Sequence, residues 1–234
     1  MKLLVLGGTH GNEKLGINLV KSLKERPISK VDSLIANPMA TERGIRFIEA
    51  DLNRSFGRQV QSSYEVRRAQ RLVRILAEYD LVLDFHNTET PGNNCCFVGE
   101  GCRDLLYSAV KQLGFSECIE ATYDCVNRYC LNTVSIEISM GDRLDSVDYW
   151  RKAIEHLVTS NEITSKGSLS IYRFLQRVTW EEKIALDLSG WKPFIPIGDK
   201  DKKALQVSGE VASIFIGSRL TEFYASLVIK RGEI

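Results

Sequence analysis

The sequence predicts an α/β fold: a mixed, mostly parallel sheet covered by helices on both faces, with a small β-rich subdomain at the C-terminal end. Three observations predict it. Apolar strand-like runs alternate with segments of helical periodicity through the first two thirds of the chain. Two of those runs, Leu3-Leu4-Val5-Leu6 and Leu81-Val82-Leu83, are apolar throughout, as buried strands are. From about Lys166 the texture shifts to strand-like runs separated by Gly- and Pro-containing turns. The expected division is therefore an α/β domain over residues 1–165 and a β-rich subdomain over 166–234.

In chain order, the first stretch reads Leu3-Leu4-Val5-Leu6-Gly7-Gly8-Thr9-His10-Gly11-Asn12-Glu13. Leu15, Leu19 and Leu23, flanked by Ile17 and Val20, then fall on one helical face. This places His10 at the end of a buried strand and Glu13 in the first turn of a helix. Both face the crevice beyond the strand's carboxyl end, where open α/β sheets hold their sites. The glycines suit a tight turn and close approach of a ligand to the backbone. A short strand follows over Ser33-Leu34-Ile35-Ala36-Asn37, and Pro38 ends it. The polar stretch from Met39 to Ser62 is long for a connection without clear periodicity, which suggests function. It holds Arg43, Arg46, Asp51, Asn53 and Arg54. Ser62-Ser63-Tyr64-Glu65 resembles a capping box for a helix that buries Val66, Ala69, Val73 and Leu76. That helix leads into the apolar run ending Asp84-Phe85-His86. A strand over 95–98, a helix over 102–113 and a strand over 133–139 follow, the last carrying Glu137 among β-branched apolar residues. Asp145 or Ser146 caps a helix through Val147, Trp150, Ile154 and Leu157, with His156 as a surface or packing residue. Strands are expected over 169–179, 205–215 and 223–230.

Bulk properties exclude several classes. The chain has 234 residues, 44% of them hydrophobic and 26% charged, as expected of a soluble globular protein. Its formal net charge of +1 makes no case for nucleic acid or a membrane surface as partner. No apolar run approaches the roughly 20 residues of a membrane span. The short apolar opening enters the His10 stretch without a cleavage pattern, so a cytoplasmic location is expected. The six cysteines form no Cys-x-x-Cys pair and read as reduced, mostly buried small hydrophobes. The pattern does not separate core from exposed faces at the β-rich end, so a homo-oligomer stays open.

Of only three histidines, His10 and His86 each terminate an apolar run, and Glu13 follows the first by three residues. A His, Glu, His set leaves a fourth tetrahedral position for water, which distinguishes a catalytic zinc site from a closed structural one. Glu137 is costly inside a strand unless it opens onto a polar site. Beside a metal it suits a general base and acid, and away from one a structural ion pair with an arginine of the 43–54 stretch. Arginine forks near a metal suit an anionic substrate, although solvated surface arginines read the same way.

Gly8-Thr9-His10-Gly11-Asn12-Glu13, Asn37-Pro38, Asp51-Leu52-Asn53-Arg54, Asp84-Phe85-His86 and Ile136-Glu137 stand in the order seen in the succinylglutamate desuccinylase/aspartoacylase family. Over residues 1 to about 140 the chain resembles these zinc amidohydrolases, whose fold is related to the zinc carboxypeptidases. The resemblance implies one zinc ion per chain on His10, Glu13 and His86, with Glu137 as general acid/base. It implies that Arg46 polarises the scissile carbonyl and that Asn53 and Arg54 hold a substrate carboxylate. Tyr123 matches a substrate-contacting tyrosine, and Tyr224 matches another across a gap. A family arginine expected four residues after Tyr123 is Asn127 here, with Arg128 one step away as the candidate substitute. The implied substrate is a small anionic N-acyl amino acid such as N-acetylaspartate or N-succinylglutamate. The alternatives are a zinc carboxypeptidase-type peptidase and a non-catalytic metal-binding module of the same fold.

Overall fold

The computed structural model describes residues 1–60, 63–160, 167–217 and 223–234. In chain order the elements are β1 (Leu3–Gly7), α1 (Lys14–Glu25), β2 (Val31–Ile35), α2 (Pro38–Arg43), a 3-10 turn (Leu52–Arg54), α3 (Tyr64–Leu76), β3 (Leu81–Thr88) and β4 (Cys95–Gly99). There follow α4 (Asp104–Gln112), β5 (Glu117–Ala121), α5 (Val126–Tyr129), β6 (Thr133–Ser139), α6 (Val147–Thr159), β7 (Ser170–Thr179), α7 (Trp180–Ala185), α8 (Asp199–Ala204), β8 (Val211–Ile214) and β9 (Phe223–Glu233). The strands form one nine-stranded sheet in the order β2-β1-β3-β6-β4-β5-β7-β9-β8. β2, β1, β3 and β6 run parallel, as do β4, β5 and β7. β4 is antiparallel to β6, and β9 to both β7 and β8. The sheet is thus mixed and mostly parallel, as the sequence predicts.

The alternation of side chains along each strand decides what covers each face. Leu3, Val5, Leu81, Leu83, Phe85, Val134, Ile136 and Ile138 pack with the apolar stripes of α1, α4 and α6. Leu4, Leu6 and Val82 face the other way, against Ala69, Leu72 and Leu76 of α3 and Leu52 and Phe56 beyond Asp51. β1 and α1 meet closely. A Cβ on Gly7 would lie 2.2 Å from the Gly16 carbonyl oxygen, and Gly8 sits at φ +70°, where a side chain is strained. These glycines make room for neighbouring helices, where the sequence suggested room for a ligand. Gly7→Ala is expected to cost about 1–3 kcal/mol through overpacking, seen in thermal melts as a fall in Tm of roughly 2–12 °C.

Several elements depart from the sequence reading. β5 and α5 were not anticipated, and 205–215 holds only the short strand Val211–Ile214. α7 and α8 lie between the expected strands, in the stretch read as turns. Neither helix buries a residue, so no apolar period marks them, and α7 is set by a capping box between Thr179 and Glu182. Pro38 ends β2 by opening α2, where its missing N–H costs nothing, and Asn37 caps the helix through the Ala40 amide. At α3 the cap is Ser63, which accepts from Val66, while Ser62 lies outside the described residues. The 165/166 boundary also lies outside them. The strands that follow it extend the same sheet and enclose a small apolar cluster of their own, including Val178, Leu188, Val211 and Leu227. All six cysteines are free thiols, five of them buried. Among the described residues no helix is long and apolar enough to cross a membrane.

Candidate active site

The site arises where α3 stops covering its face of the sheet. On β3 that face carries Val82 in the core, then Asp84 and His86 toward the strand's carboxyl end. On β6 the same alternation presents Thr133, Ser135 and Glu137. Parallel pairing puts His86 and Glu137 directly opposite each other, so their side chains share one face. His10 and Glu13 come from the turn between β1 and α1. Glu13 is the residue that precedes α1, but its side chain makes no capping bond. Asn87 supplies that function instead, accepting from the Leu15 amide at 3.0 Å, and so leaves the Glu13 carboxylate free to face the histidines.

Glu13 bridges the two rings. Its Oε1 lies 2.7 Å from His10 Nδ1 and its Oε2 lies 3.0 Å from His86 Nδ1. The other ring nitrogens rest on carboxylates: His10 Nε2 on Asp51 at 3.1 Å and His86 Nε2 on Asp84 at 2.8 Å. The Thr9 hydroxyl donates to Asp84 at 2.8 Å and orients it. One donor atom from each of His10, Glu13 and His86 lies within 4.8 Å of the others, and all three residues are buried. Two imidazoles and a carboxylate are a zinc donor set. Each imidazole having a carboxylate on its far nitrogen is the arrangement that orients metal-bound histidines. The residues present therefore fit a zinc ion.

The electrostatics agree. Burial disfavours charge on His10 and His86, but Glu13 with Asp51 raises the first, and Asp84 with Glu13 raises the second well above the usual imidazole range. Burial would lift Glu13 and Asp51, yet His10 and His86 hold the Glu13 carboxyl, and His10 with Arg46 and Arg54 the Asp51 carboxyl, well below the usual range. This is an anion-rich pocket that attracts cationic partners. Glu137 behaves differently: burial raises its pKa, partly opposed by His86 and reinforced by Glu13.

The cleft in front of these residues has a volume of about 380 Å³ and is lined by His10, Glu13, Arg46, Asn53, Arg54, Tyr123 and Glu137. His86 stands behind this surface, 1% exposed. Arg46 pairs with Glu13 at 3.2 Å and with Asp51 at 3.6 Å. Asn53 accepts from the Val126 amide at 3.1 Å, and Arg54 stands over the Tyr123 ring at 4.8 Å. Arg128 and Tyr224, expected at the substrate, do not line the cleft. The short α5 buries Asn127, which bonds to Phe97, Thr133 and Ser135, and turns Arg128 outward onto Thr122 and Asp124. On β9, alternation sends Phe223 and Ala225 into the cleft and packs Tyr224 against Trp180 and Trp191.

Four contributors escaped the sequence reading. Asp84 was detectable, standing two residues before His86 and so on the same strand face. Asn87 and Arg177 gave no local signal. Glu65 read as half of a capping box, but it is fully buried and accepts bonds from the amides of Ile48 (2.7 Å), Glu49 (3.2 Å) and Ala50 (3.1 Å) and from Asn37 (3.2 Å). It thereby pins the segment between Arg46 and Asp51. Glu65→Gln replaces an acceptor with a donor facing those amides. A loss of about 1–3 kcal/mol is expected, together with faster hydrogen exchange at amides 48–50.

The succinylglutamate desuccinylase/aspartoacylase catalytic domain matches residues 1–126. An N-acyl-aromatic-L-amino acid amidohydrolase (carboxylate-forming) of Xenopus laevis is 32% identical over 141 residues, covering 53% of this chain and 46% of the relative. The chain thus matches about half the length of that relative. Aspartoacylase of Mus musculus is 28% identical over 268 aligned positions, covering 89% of this chain and 84% of the relative. Among solved structures, murine aminoacylase 3 superposes with a TM-score of 0.73 at 21% identity, covering 100% of this chain and 96% of that one. Succinylglutamate desuccinylase from Chromobacterium violaceum gives 0.74 at 16% identity, covering 98% and 84%. At these identities the structural matches speak for the fold.

Proposed function

Because this chain belongs to the succinylglutamate desuccinylase/aspartoacylase family, we propose that it is a zinc-dependent amidohydrolase that cleaves an N-acyl amino acid to a carboxylate and a free amino acid. N-Acetylaspartate and N-succinylglutamate are representative substrates. The observation that carries this reading is the convergence of His10, Glu13 and His86 at the floor of a cleft that also holds Glu137 and arginines. The names of its relatives support the reaction class. The free thiols suit a reducing, cytoplasmic location.

His10, Glu13 and His86 would hold the zinc ion, which when bound supplies Lewis-acid polarisation and a lowered water pKa. Asp51 and Asp84 keep the imidazoles oriented with Nδ1 toward Glu13. Glu137, on the cleft side of β6, accepts the proton of the attacking water as the C–O bond forms at the acyl carbon. It returns that proton to the amide nitrogen as the C–N bond breaks, so one water is consumed and one amine is released. Arg46 places its guanidinium beside the carbonyl oxygen, where negative charge develops. Arg54, steadied by Tyr123, binds the amino acid carboxylate.

A panel of N-acetyl and N-succinyl amino acids, with peptides bearing a free C-terminus as comparison, tests the reaction class in zinc-supplemented buffer. Release of free amino acid from the N-acyl compounds is expected. Cleavage of the peptides alone would replace this reading by a carboxypeptidase, and zinc binding without cleavage of either would leave a metal-binding module.

A further inference from the structure

Strand register sends the two ends of the cleft to opposite sides of the row formed by His86 and Glu137. Those two residues pair across β3 and β6, and Glu137 pairs in turn with Cys95 of β4. β4 runs antiparallel to β6, so it leads away from this row toward the start of β6. There Gly99 pairs with Ala121 at the end of β5. Tyr123 follows two residues later, with Arg54 over its ring at 4.8 Å. β3 leaves the row in the other direction. Past His86 it continues to Thr88, level with Ser139 of β6, and then to Glu89, which lines the cleft with an exposed carboxylate. The backbone on either side of Glu89 is fixed. The Thr88 carbonyl accepts from the Met140 amide at 2.8 Å, and the Thr88 hydroxyl accepts from the Thr90 amide at 3.2 Å. The Thr90 carbonyl accepts from the Ser139 hydroxyl at 2.7 Å, and both threonines are buried. Among the described residues no cation pairs with Glu89. Glu13 and Asp51 already answer the charge of Arg46, while Arg54 and Arg177 stand beside Tyr123 at the other end.

A substrate with its amino acid carboxylate on Arg54 and its carbonyl at Glu137 sends its acyl group past the row, toward Glu89. Resting on the amidohydrolase reading, we propose that Glu89 selects the acyl group by charge. It turns away acyl groups that end in a carboxylate, accepts neutral ones, and favours those that end in an ammonium. Of the two representative acyl groups, acetyl is thus preferred to succinyl. The physical basis is simple. A succinyl carboxylate entering this end meets a fixed like charge with no cation between them, whereas an ammonium there gains an ion pair. Solvent and salt screen an exposed carboxylate, so the effect is that of a surface charge contact. A residue that repels the wrong group confers selectivity without adding affinity for the right one.

Wild type, E89Q and E89K, matched for Tm and zinc content, are assayed on the butanoyl, succinyl and 4-aminobutanoyl amides of one amino acid, the one wild type releases fastest from its N-acetyl form. In parallel, calorimetry measures binding of butyrate, succinate and 4-aminobutyrate. Wild type is expected to rank 4-aminobutanoyl above butanoyl and butanoyl above succinyl in kcat/KM. E89Q should raise the succinyl-to-butanoyl ratio by about 2–5-fold, the range of an exposed charge contact, and E89K by about 4–25-fold, mainly through KM. High salt should narrow the wild-type spread. A wild-type preference for the succinyl amide, or an E89Q effect shared equally by all three acyl groups, would overturn the proposal. Should no amide be cleaved while E89Q and E89K still shift succinate affinity against 4-aminobutyrate affinity, the charge selection stands and the amidohydrolase reading fails.

Discussion

Glu137→Ala is expected to reduce amide hydrolysis by about 10²–10⁴-fold, the usual contribution of a general acid/base, with zinc content unchanged. The variant separates the base from the metal ligands because Glu137 belongs to β6, whereas the donor set comes from the β1–α1 turn and β3. Folding should survive. Among the described residues Glu137 accepts no hydrogen bond that organises a neighbouring loop, in contrast to Glu65, and its position opens onto the cleft. The pH profile gives a second check. Burial raises the Glu137 pKa, and the residue must be ionised to accept a proton. Activity should therefore fall as pH drops through a value above the ordinary glutamate range of about 4.3. That limb should be absent from the residual activity of the alanine variant. Near-wild-type turnover by Glu137→Ala would remove this residue from the mechanism.

Asp84→Asn is expected to weaken zinc binding by about 10–100-fold, the usual effect of removing a carboxylate behind a metal-bound histidine. Asp84 is fully buried and its two oxygens are committed to His86 and to the Thr9 hydroxyl. The amide keeps the shape but offers one acceptor and one donor, so the His86 ring loses its fixed tautomer. Competition against a chromophoric chelator measures the change. The same experiment across pH has a defined sign. His10 and His86 have raised pKa values and bind metal only when neutral, so protons compete with zinc and its apparent affinity should weaken as pH falls below those elevated values. For wild type, zinc at 100 times its Kd should add about 2.7 kcal/mol of stability, an increase in Tm of roughly 5–11 °C that a chelator reverses. Unaltered zinc affinity in Asp84→Asn would show that the His86–Asp84 contact does not serve the metal.

Much of this site was legible in the sequence because its chemistry lies at strand ends, where a period of two and a change from apolar to polar announce an opening. His10, Glu13, His86 and Glu137 were each visible that way, and the β3 pattern Val82, Asp84, His86 would have disclosed Asp84 by the same rule. The long polar stretch marked Arg46 and Arg54 as functional without showing what held them. Only the folded chain reveals that Glu65, in the first turn of α3, gathers the amides of residues 48–50 and fixes that stretch between Arg46 and Asp51.

By itself, then, the sequence determined the alternating α/β order, the strand ends and the identity of the candidate metal donors, since periodicity and residue chemistry are local properties. Tertiary structure alone decided which groups complete the site. Asn87 caps a helix 72 positions away in sequence, Arg128 turns out to solvent, and Arg177 reaches the cleft because β7 pairs with β5. Such contacts depend on sheet order and on which neighbour already fills a position. No local pattern encodes them, because the energy that selects them appears only when distant strands pack together.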